Sequence, residues 1–498
     1  MLWRYLKGGY MKAIAAVLDK KGENAVSKLF PMLKILGCRG ADVYCIGTPR
    51  DVITGTSLET LLTQEFRGRM ALGHVFLRVL ATDKPQMANF GNSTFLFDGR
   101  IYNPPMECLD AFVANRLQVG ACAFAEALIK EFDGCFSFAF IENGKLVAGR
   151  DALGLYPLYY GENSDLLAVA SERKALWKIG VNEAKPVPPG HILIADEGSV
   201  QIRHVKSPVG GVQPRSLEEA ADSLQESLLC STLERTVGVD KVAVAFSGGL
   251  DSSLIALLAQ RTGVEAHLIH VSLENQPETL QAEEAAYLLD MPFHKFLYSD
   301  EDVERVLPEV LWCVESPNPL KASIAIPLFW AAENAAKLGF KVLLSGQGAD
   351  ELFGGYRRYL TLYARFGEEV AQKAITSDIL RMHEDNFERD FKVCVFHNVE
   401  LRLPFVSLPI AEFALTLPLN LKIALEKNAL RKLVLRKTAE RLGLPRQIVC
   451  RPKKAVQYAT GVDKALRKLA KKQGFSLQQY LLRIFKAYGD LENKKEGV

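Results

Sequence analysis

A two-domain chain is predicted, an α+β domain built from many short strands followed by an α/β domain with a parallel sheet. Three observations predict it. From Met11 to about His204, short apolar runs are separated by turn signals, the pattern of antiparallel strands. Ser207-Pro-Val-Gly-Gly-Val-Gln-Pro214 is rich in Pro and Gly and poor in packing material, as a linker is. Beyond Ser216, apolar runs alternate with helical patterns, the order that yields parallel strands with helices on both faces. The expected division is residues 1–205, a linker over 206–215, and residues 216–498.

Bulk numbers exclude several function classes. At 498 residues the chain exceeds the size at which a single core stops growing, so each domain can bury its own. With 48% hydrophobic and 24% charged residues it is ordinary globular material. No apolar run reaches the roughly 18 residues that a membrane span needs, so no membrane partner is expected. A net charge of +3 is nearly balanced, and the basic runs at Lys464 to Lys472 and Lys494-Lys495 read as solvated helix faces, so nucleic acid is not an expected partner. Nine cysteines (Cys38, Cys45, Cys108, Cys122, Cys135, Cys230, Cys313, Cys394 and Cys450) contain no Cys-x-x-Cys pair and suit reduced thiols in a cytoplasmic protein. His267 and His270 share one expected strand at an odd separation and so face opposite ways, which argues against zinc. Met1 to Tyr10 lack the apolar core of a signal peptide.

In the first half, strands are expected over Ala13–Leu18, Asp42–Gly47, Ala71–Leu77, Thr94–Tyr102, Phe136–Ile141, Leu146–Gly149, Leu167–Ala170 and His191–Ile194. Glu142-Asn-Gly144, Gly161-Glu-Asn163 and Glu197-Gly198 supply the positive-φ residues of tight hairpins. Helical patterning is confined to Asn24–Leu36, Ser57–Glu65 and Ala121–Glu131.

In the second half, Ser216-Leu-Glu-Glu219 reads as a capping box opening a long helix. There follow a strand Val242–Phe246, a helix 252–262, a strand His267–Val271, helices over 279–289 and 322–337, and a strand Val342–Leu344. Strands ending at Ser247, Ser272 and Ser345 should converge, because open α/β sheets bind ligands at their carboxyl edge.

The junction Val242-Ala-Val-Ala-Phe-Ser-Gly-Gly-Leu-Asp-Ser-Ser253 carries chemistry. Gly248 and Gly249 let the backbone turn sharply and present N–H groups to an anion at a helix N-terminus. Ser247, Ser252 and Ser253 add hydroxyls, and Asp251 beside a phosphate calls for Mg²⁺ between them. A Gly-Gly turn alone would mark any strand–helix junction; three serines and an aspartate within seven residues exceed that plain reading. No Gly-x-x-x-x-Gly-Lys-Ser/Thr run competes. A second loop, Ser345-Gly-Gln-Gly-Ala-Asp-Glu-Leu-Phe-Gly-Gly-Tyr356, puts two carboxylates after a glycine-rich turn and provides a second metal or substrate ligand opposite Asp251.

These two loops resemble the synthetase domain of glutamine-dependent asparagine synthetases, a superfamily that includes β-lactam synthetases. Val399-Glu-Leu-Arg-Leu-Pro-Phe405 and Arg451-Pro-Lys453 extend the likeness. The resemblance implies a pyrophosphate-loop, adenine nucleotide alpha-hydrolase-like α/β fold that binds ATP and Mg²⁺. By that resemblance Phe246, Val271, Ser345 and Gly346 line the adenosine pocket, and Ser247, Gly248, Gly249, Leu250, Asp251, Ser252 and Ser253 hold pyrophosphate. Asp251 and Asp350 would bind the metal, and Lys453 would face the phosphates or the adenylated intermediate, although Arg451-Pro-Lys-Lys454 could equally be a solvated basic loop. Gln347 stands where asparagine synthetases carry a catalytic glutamate, and Ser407 where they usually carry aspartate. Asn318-Pro-Leu-Lys321 replaces a Thr-Thr-x-Arg type of segment. Lys321 and Glu351 are the expected substrate ligands, one for a carboxylate and one for an α-ammonium.

The first half is similar to the class II glutaminase domain, an Ntn-hydrolase sandwich, through Asp98-Gly-Arg-Ile-Tyr-Asn103, Phe132-Asp-Gly-Cys135, Gly149-Arg-Asp-Ala-Leu-Gly-Leu-Tyr-Pro-Leu-Tyr159 and Ser171-Glu-Arg-Lys-Ala-Leu176. Such domains use an N-terminal cysteine whose α-amine is the base. Lys12 occupies that position here, ten residues precede Met11, Asp98-Gly99-Arg100 replaces Asn-Gly-Glu, and Phe76 replaces an arginine after His74. Glutaminase activity is therefore not expected, and the retained motifs read as fold.

The leading expectation is an AMP-forming amide ligase that adenylates a carboxylate, aspartate first, and uses free ammonia. A small-molecule carboxylate and ammonia are then its partners, with a homodimer admitted as the assembly. The alternatives are a β-lactam-synthetase-like ligase with a different carboxylate and amine, and a non-catalytic ATP-binding scaffold.

Overall fold

The computed structural model describes residues 13–38, 40–62, 65–103, 120–214, 216–424 and 430–495, so Lys12, the residues before it and Cys108 lie outside the described residues. Tertiary contacts divide the chain into two compact units, Met1–Pro208 and Val209–Val498. Among the described residues no helix is long and apolar enough to cross a membrane.

The first unit runs through β1 (Ala13–Asp19), β2 (Val43–Gly47), β3 (Val52–Gly55), β4 (Met70–Phe76), β5 (Met87–Phe90), β6 (Ser93–Asn103), β7 (Asp133–Glu142), β8 (Lys145–Arg150), β9 (Tyr159–Glu162), β10 (Leu166–Ala170), β11 (Lys185–Pro186), β12 (His191–Ala195) and β13 (Val200–His204). They form two sheets, ordered β11-β9-β10-β1-β4-β2-β3 and β13-β12-β8-β7-β6-β5. Alternation decides which residues meet between the sheets. Ile14, Ala16 and Leu18 of β1 and Met70 and Leu72 of β4 pack on Leu96, Ala139, Ala148 and Leu193 of the facing sheet. The opposite face of the second sheet presents Phe95, Phe97, Phe136, Phe138 and Phe140 to the helix Ala121–Glu131. Gly73, on the outer face of the first sheet, leaves room for Leu29 and Leu33 of the helix Ala25–Leu36. Helix, two stacked antiparallel sheets and helix make the expected sandwich.

The eight strands expected here all form. The short strands β3, β5, β9, β11 and β13 were not expected; β3 and β13 are largely half-exposed, which weakens their apolar alternation.

The second unit holds β14 (Lys241–Ala245), β15 (Glu265–Leu273), β16 (Phe293–Tyr298), β17 (Val342–Leu344) and β18 (Glu400–Arg402) in one parallel sheet, ordered β16-β15-β14-β17-β18. Val242, Ala243 and Val244 are fully buried, as the central strand of a parallel sheet covered on both faces requires. The helix Leu217–Thr236 opens on Ser216, whose hydroxyl accepts the Glu219 N–H. A reciprocal capping box forms instead at Ser299 and Asp302, opening the helix Asp300–Val314. The helices Leu250–Arg261, Pro277–Leu289 and Pro319–Lys337 each start a few residues earlier than the sequence suggests.

Candidate functional site

A cavity of about 620 Å³ opens at the carboxyl ends of β14, β15 and β17. Its floor begins where β14 ends. Ser247 turns the chain, its N–H donating to Ser252 Oγ at 3.2 Å, while its own hydroxyl lies 3.1 Å from the same oxygen. Gly248 has φ of +69°, and a Cβ there would fall 2.6 Å from the Ala282 backbone, so only glycine fits. Gly249 then caps the helix Leu250–Arg261 without any side-chain bond, which leaves first-turn N–H groups to an anion. Arg451 braces this loop from behind, donating to the carbonyls of Gly248 at 2.7 Å and Gln281 at 2.8 Å.

Across the cavity stands the loop after β17. Asp251 and Asp350 converge on two ammonium groups: Lys432 Nζ lies 2.8 Å from Asp251 and 2.7 Å from Asp350, and Lys453 Nζ lies 3.1 and 2.8 Å from the same pair. Burial alone would raise the Asp350 carboxyl, but Lys432 and Lys453 outweigh it and hold the group well below the usual carboxylate range. Burial likewise opposes the Lys453 charge, and Asp350 and Asp251 more than restore it. Gly355 makes the arrangement possible, since a Cβ there would collide with Asp350 Oδ1 and with Lys432 Cε.

Two carboxylates that share their counter-charges fit Mg²⁺, which is commonly bound by one or two carboxylates together with phosphate oxygens and water. The described residues hold no cluster of three or more His, Cys, Asp or Glu side chains that would make an all-protein metal cage. Asp251 and Asp350 are the residues that would hold the ion.

Another part of the cavity wall is built from the second loop and from the π-helical turn His383–Phe387. Glu351 is 4% exposed; its Oε1 accepts from the Tyr356 hydroxyl and from Asn386 Nδ2 at 2.7 Å, while Oε2 has no partner among the described residues. Burial, then the neighbouring Asp350 charge, push its carboxyl up. Gln347 bonds Asp390, which also receives Arg389 at 2.7 Å. Asn318 caps the helix Pro319–Lys337, so the segment Asn318-Pro-Leu-Lys321 is a helix start with Lys321 in its first turn. Lys321 Nζ donates to the Glu384 carbonyl at 2.9 Å.

Of the residues singled out from sequence, Phe246, Ser247, Asp251, Ser252, Val271, Ser345, Gly346, Gln347, Asp350, Glu351, Lys321 and Lys453 line the cavity. Gly248, Gly249, Leu250 and Ser253 do not, and the Ser253 hydroxyl is sealed inside the domain. Ser272 is also buried away from it, and the lining residue of β15 is Val271. Lys432 was missed, because a lysine in a basic stretch has no sequence signature; its φ of +62° is visible only in the fold. The motif around Arg402 is architectural: Arg402 pairs with Glu400 at 2.7 and 2.9 Å and donates to the Arg235 carbonyl at 2.7 Å. Ser407 caps the helix Leu408–Thr416.

In the first unit, Asp98 and His74 lie on facing sheets, fully buried, and neither has a hydrogen-bond partner among the described residues. Burial drives the Asp98 carboxyl well up and the His74 imidazole down to about 3. Arg100 forms a two-pronged ion pair with Asp83 at 3.2 and 2.9 Å. Cys45 is buried, its thiol pushed up to about 12 by desolvation, which is no state for a nucleophile. Asp151 instead organises backbone, accepting from Leu153, Leu155 and Phe136.

Both halves of the chain are similar to known proteins. The asparagine synthase family model matches residues 223–371 and 363–487, and a glutamine amidotransferase domain model matches 77–178. The chain is 32% identical to a "Putative asparagine synthetase (glutamine-hydrolyzing) 1" of Methanocaldococcus jannaschii, over 94% of this chain and 96% of that protein. It is 29% identical to an asparagine synthetase (glutamine-hydrolyzing) of Sandersonia aurantiaca over 68% of this chain and 66% of that one. An Arabidopsis thaliana asparagine synthetase (glutamine-hydrolyzing) 2 is also 29% identical, over 68% of this chain and 60% of its own length, so the chain matches less than two thirds of these plant relatives. With both family models matched in order and a relative aligned along almost its whole length, the chain belongs to the asparagine synthase family.

Proposed function

We propose that this protein is an ATP-dependent, AMP-forming carbon–nitrogen ligase that adenylates an acceptor carboxylate, aspartate being the first candidate, and then transfers ammonia to give asparagine or a related amide. The observation that carries it is the convergence of Asp251 and Asp350 on the Lys432 and Lys453 ammonium groups beside the Ser247 loop. A carboxylate is a poor acylating agent, so it attacks the α-phosphate of ATP, pyrophosphate leaves, and the amine displaces AMP from the acyl-adenylate. Most of the help needed is electrostatic. Asp251 and Asp350 would hold Mg²⁺, which would supply charge neutralisation for phosphate oxygens. Ser247, Ser252 and the first-turn amides bind phosphate, and Lys432 and Lys453 hold positive charge beside it. Gln347, Glu351 and Lys321 shape the acceptor side.

Ammonia rather than glutamine is proposed as the nitrogen source. Support comes from the sealed inter-sheet position of Asp98 and His74, the Arg100–Asp83 pair, and lysine at position 12. The relatives' names include glutamine hydrolysis, and those names describe the relatives.

A different acceptor is the second reading, favoured by the segment Asn318-Pro-Leu-Lys321, a helix start whose Lys321 ammonium already donates to the Glu384 carbonyl at 2.9 Å. Pyrophosphate release is the test, measured with ATP, Mg²⁺ and a panel of acids, each with ammonia or glutamine. Acid-dependent release with ammonia is expected; release with no acid in the panel would remove the ligase assignment.

A further inference from the structure

Arg436 is a buried cation without a carboxylate. It sits in the first turn of the helix Leu433–Arg441, 7% exposed, and no described acidic side chain forms an ion pair with it. Burial pulls its guanidinium below the usual range, with Asp251 and Cys450 opposing the shift and Arg431 adding to it. A desolvated charge is costly unless its donors are used, and here all three nitrogens are used on backbone. Nε donates to the Arg431 carbonyl at 2.7 Å, Nη1 to the Val449 carbonyl, and Nη2 to the Arg451 carbonyl at 3.1 Å.

Those three carbonyls belong to the two segments that deliver Lys432 and Lys453. The Arg431 carbonyl leads into Lys432, and the Arg436 backbone N–H holds the Lys432 carbonyl at 2.9 Å, so one residue bonds the peptide oxygens on both sides of the Lys432 Cα. A non-glycine residue at φ of +62° persists only under such enforcement. Val449 and Arg451 lead into Lys453, within a stretch, residues 451–455, that has no helix or strand of its own. Side chains carry the tie onward to both loops. Arg431 Nη1 donates to the Gly355 carbonyl at 2.6 Å in the loop of Asp350, and Arg451 Nη1 to the Gly248 carbonyl at 2.7 Å in the loop of Asp251. Charge-assisted bonds from a planar fork fix direction as well as distance.

We propose that Arg436 is a positioning residue for the reaction: from outside the cavity lining, its one guanidinium locks the two backbone segments that bring Lys432 and Lys453 to Asp251 and Asp350. The step at the phosphates then depends on a side chain that touches neither phosphate nor acceptor. The inference rests on the ligase reading above and adds how the two ammonium groups of that site are placed.

Two measurements on the intact protein test it, with wild type, Arg436→Gln, Arg436→Lys and Leu435→Ala. Leu435 is fully buried on the same helix and is the control for plain destabilisation. The first measurement is limited trypsin digestion under native conditions, read by mass spectrometry at the bonds after Lys453 and Lys454, because proline blocks cleavage after Arg451. With its carbonyl anchors gone, Arg436→Gln should be cut there at least about tenfold faster than wild type, cleavage tracking the opened population. The second is steady-state pyrophosphate release, in which kcat should fall by about a hundredfold while the acid KM stays within about threefold, the pattern of misplaced groups and not of lost substrate binding. Arg436→Lys keeps the charge but not the fork, so it should behave like Arg436→Gln, and it carries both measurements if the glutamine variant does not fold. Leu435→Ala should stay near wild type in both. Recovery of both readouts by lysine overturns the proposal, as does a folded Arg436→Gln with wild-type kcat, or a leucine control that matches it. If wild type releases no pyrophosphate with any acid, the ligase reading falls alone, and the trypsin comparison still decides whether Arg436 locks the Lys453 segment.

Discussion

Lys432 Nζ lies 2.8 Å from each carboxylate oxygen of Asp251, a residue 181 positions earlier in the chain. The same ammonium reaches Asp350, so one 2%-exposed side chain ties the loops after β14 and β17 together. It does so from a backbone in the left-handed region, a conformation that costs a non-glycine residue about 1–3 kcal/mol and persists only where its surroundings enforce it.

Lys432→Met is expected to destabilise the second unit by about 3–5 kcal/mol, because two buried carboxylates lose their deepest counter-charge. Urea unfolding measures this, and pyrophosphate release should disappear with it. A variant of unchanged stability would mean that Lys453, 31% exposed, neutralises both acids unaided.

Asp251→Asn should abolish ATP-dependent pyrophosphate release while the far-ultraviolet circular dichroism stays native. The substitution keeps the side chain's shape and leaves Lys432 and Lys453 paired with Asp350. Full turnover by the purified variant would remove Asp251 from the phosphate and metal site.

Much of this site was legible in the sequence because small and acidic residues at a strand–helix junction have few purposes. Ser247, Asp251, Ser345 and Asp350 announce themselves by local spacing, and all line one cavity. Lys432 does not, since a lysine acquires meaning only from what the fold places beside it. The same limit applies to strands. Buried β1 and β10 were readable from continuous apolar runs, whereas the two-residue β11 is exposed and exists through its pairing with β9. Gly248, expected to hold pyrophosphate, is also required by close packing against Ala282.

Glutamine should yield no glutamate above a no-enzyme control. Asp98 is fully buried, and burial favours its neutral form; His74 has no accessible surface. Catalytic glutamate formation would overturn the ammonia assignment. An assay with ammonia in place of glutamine keeps the synthetase half under observation in the same preparation.

Lys422 gives a pH signature unrelated to the cavity. It is fully buried, its Nζ has no partner among the described residues, and desolvation pushes its pKa down to about 7 from 10.5. Below about pH 7 both folded and unfolded chains hold the proton, and the burial penalty is fully present. Between 7 and 10.5 the unfolded chain binds the proton that the folded chain has released, so stability rises with pH. Lys422→Met should stabilise at pH 7 by on the order of 4 kcal/mol, at about 1.4 kcal/mol per pH unit of the window, and by much less near pH 10. Urea midpoints at the two pH values decide it; parallel curves for variant and parent would mean that the amine finds a partner in solution.

Lys321→Ala should raise the apparent KM for the acceptor acid by roughly tenfold or more, the loss of a charge-assisted contact worth about 1.5–3 kcal/mol, with the KM for ATP unchanged. Two effects point the same way. Lys321 lines the cavity, and its ammonium donates to the Glu384 carbonyl at 2.9 Å. That carbonyl also belongs to the π-helical turn whose Asn386 holds Glu351, so removing Lys321 loosens the acceptor side even without direct contact. The kinetic pattern separates the two. A guanidinium can still reach the carbonyl and offers a fork to a carboxylate, so Lys321→Arg should keep activity near that of the parent in either case. If only the turn matters, Lys321→Ala should instead lower kcat together with kcat/KM, with the acid KM unchanged. An equal rise in the KM for ATP would place Lys321 against the nucleotide, on the opposite side of Asp350 from the acceptor.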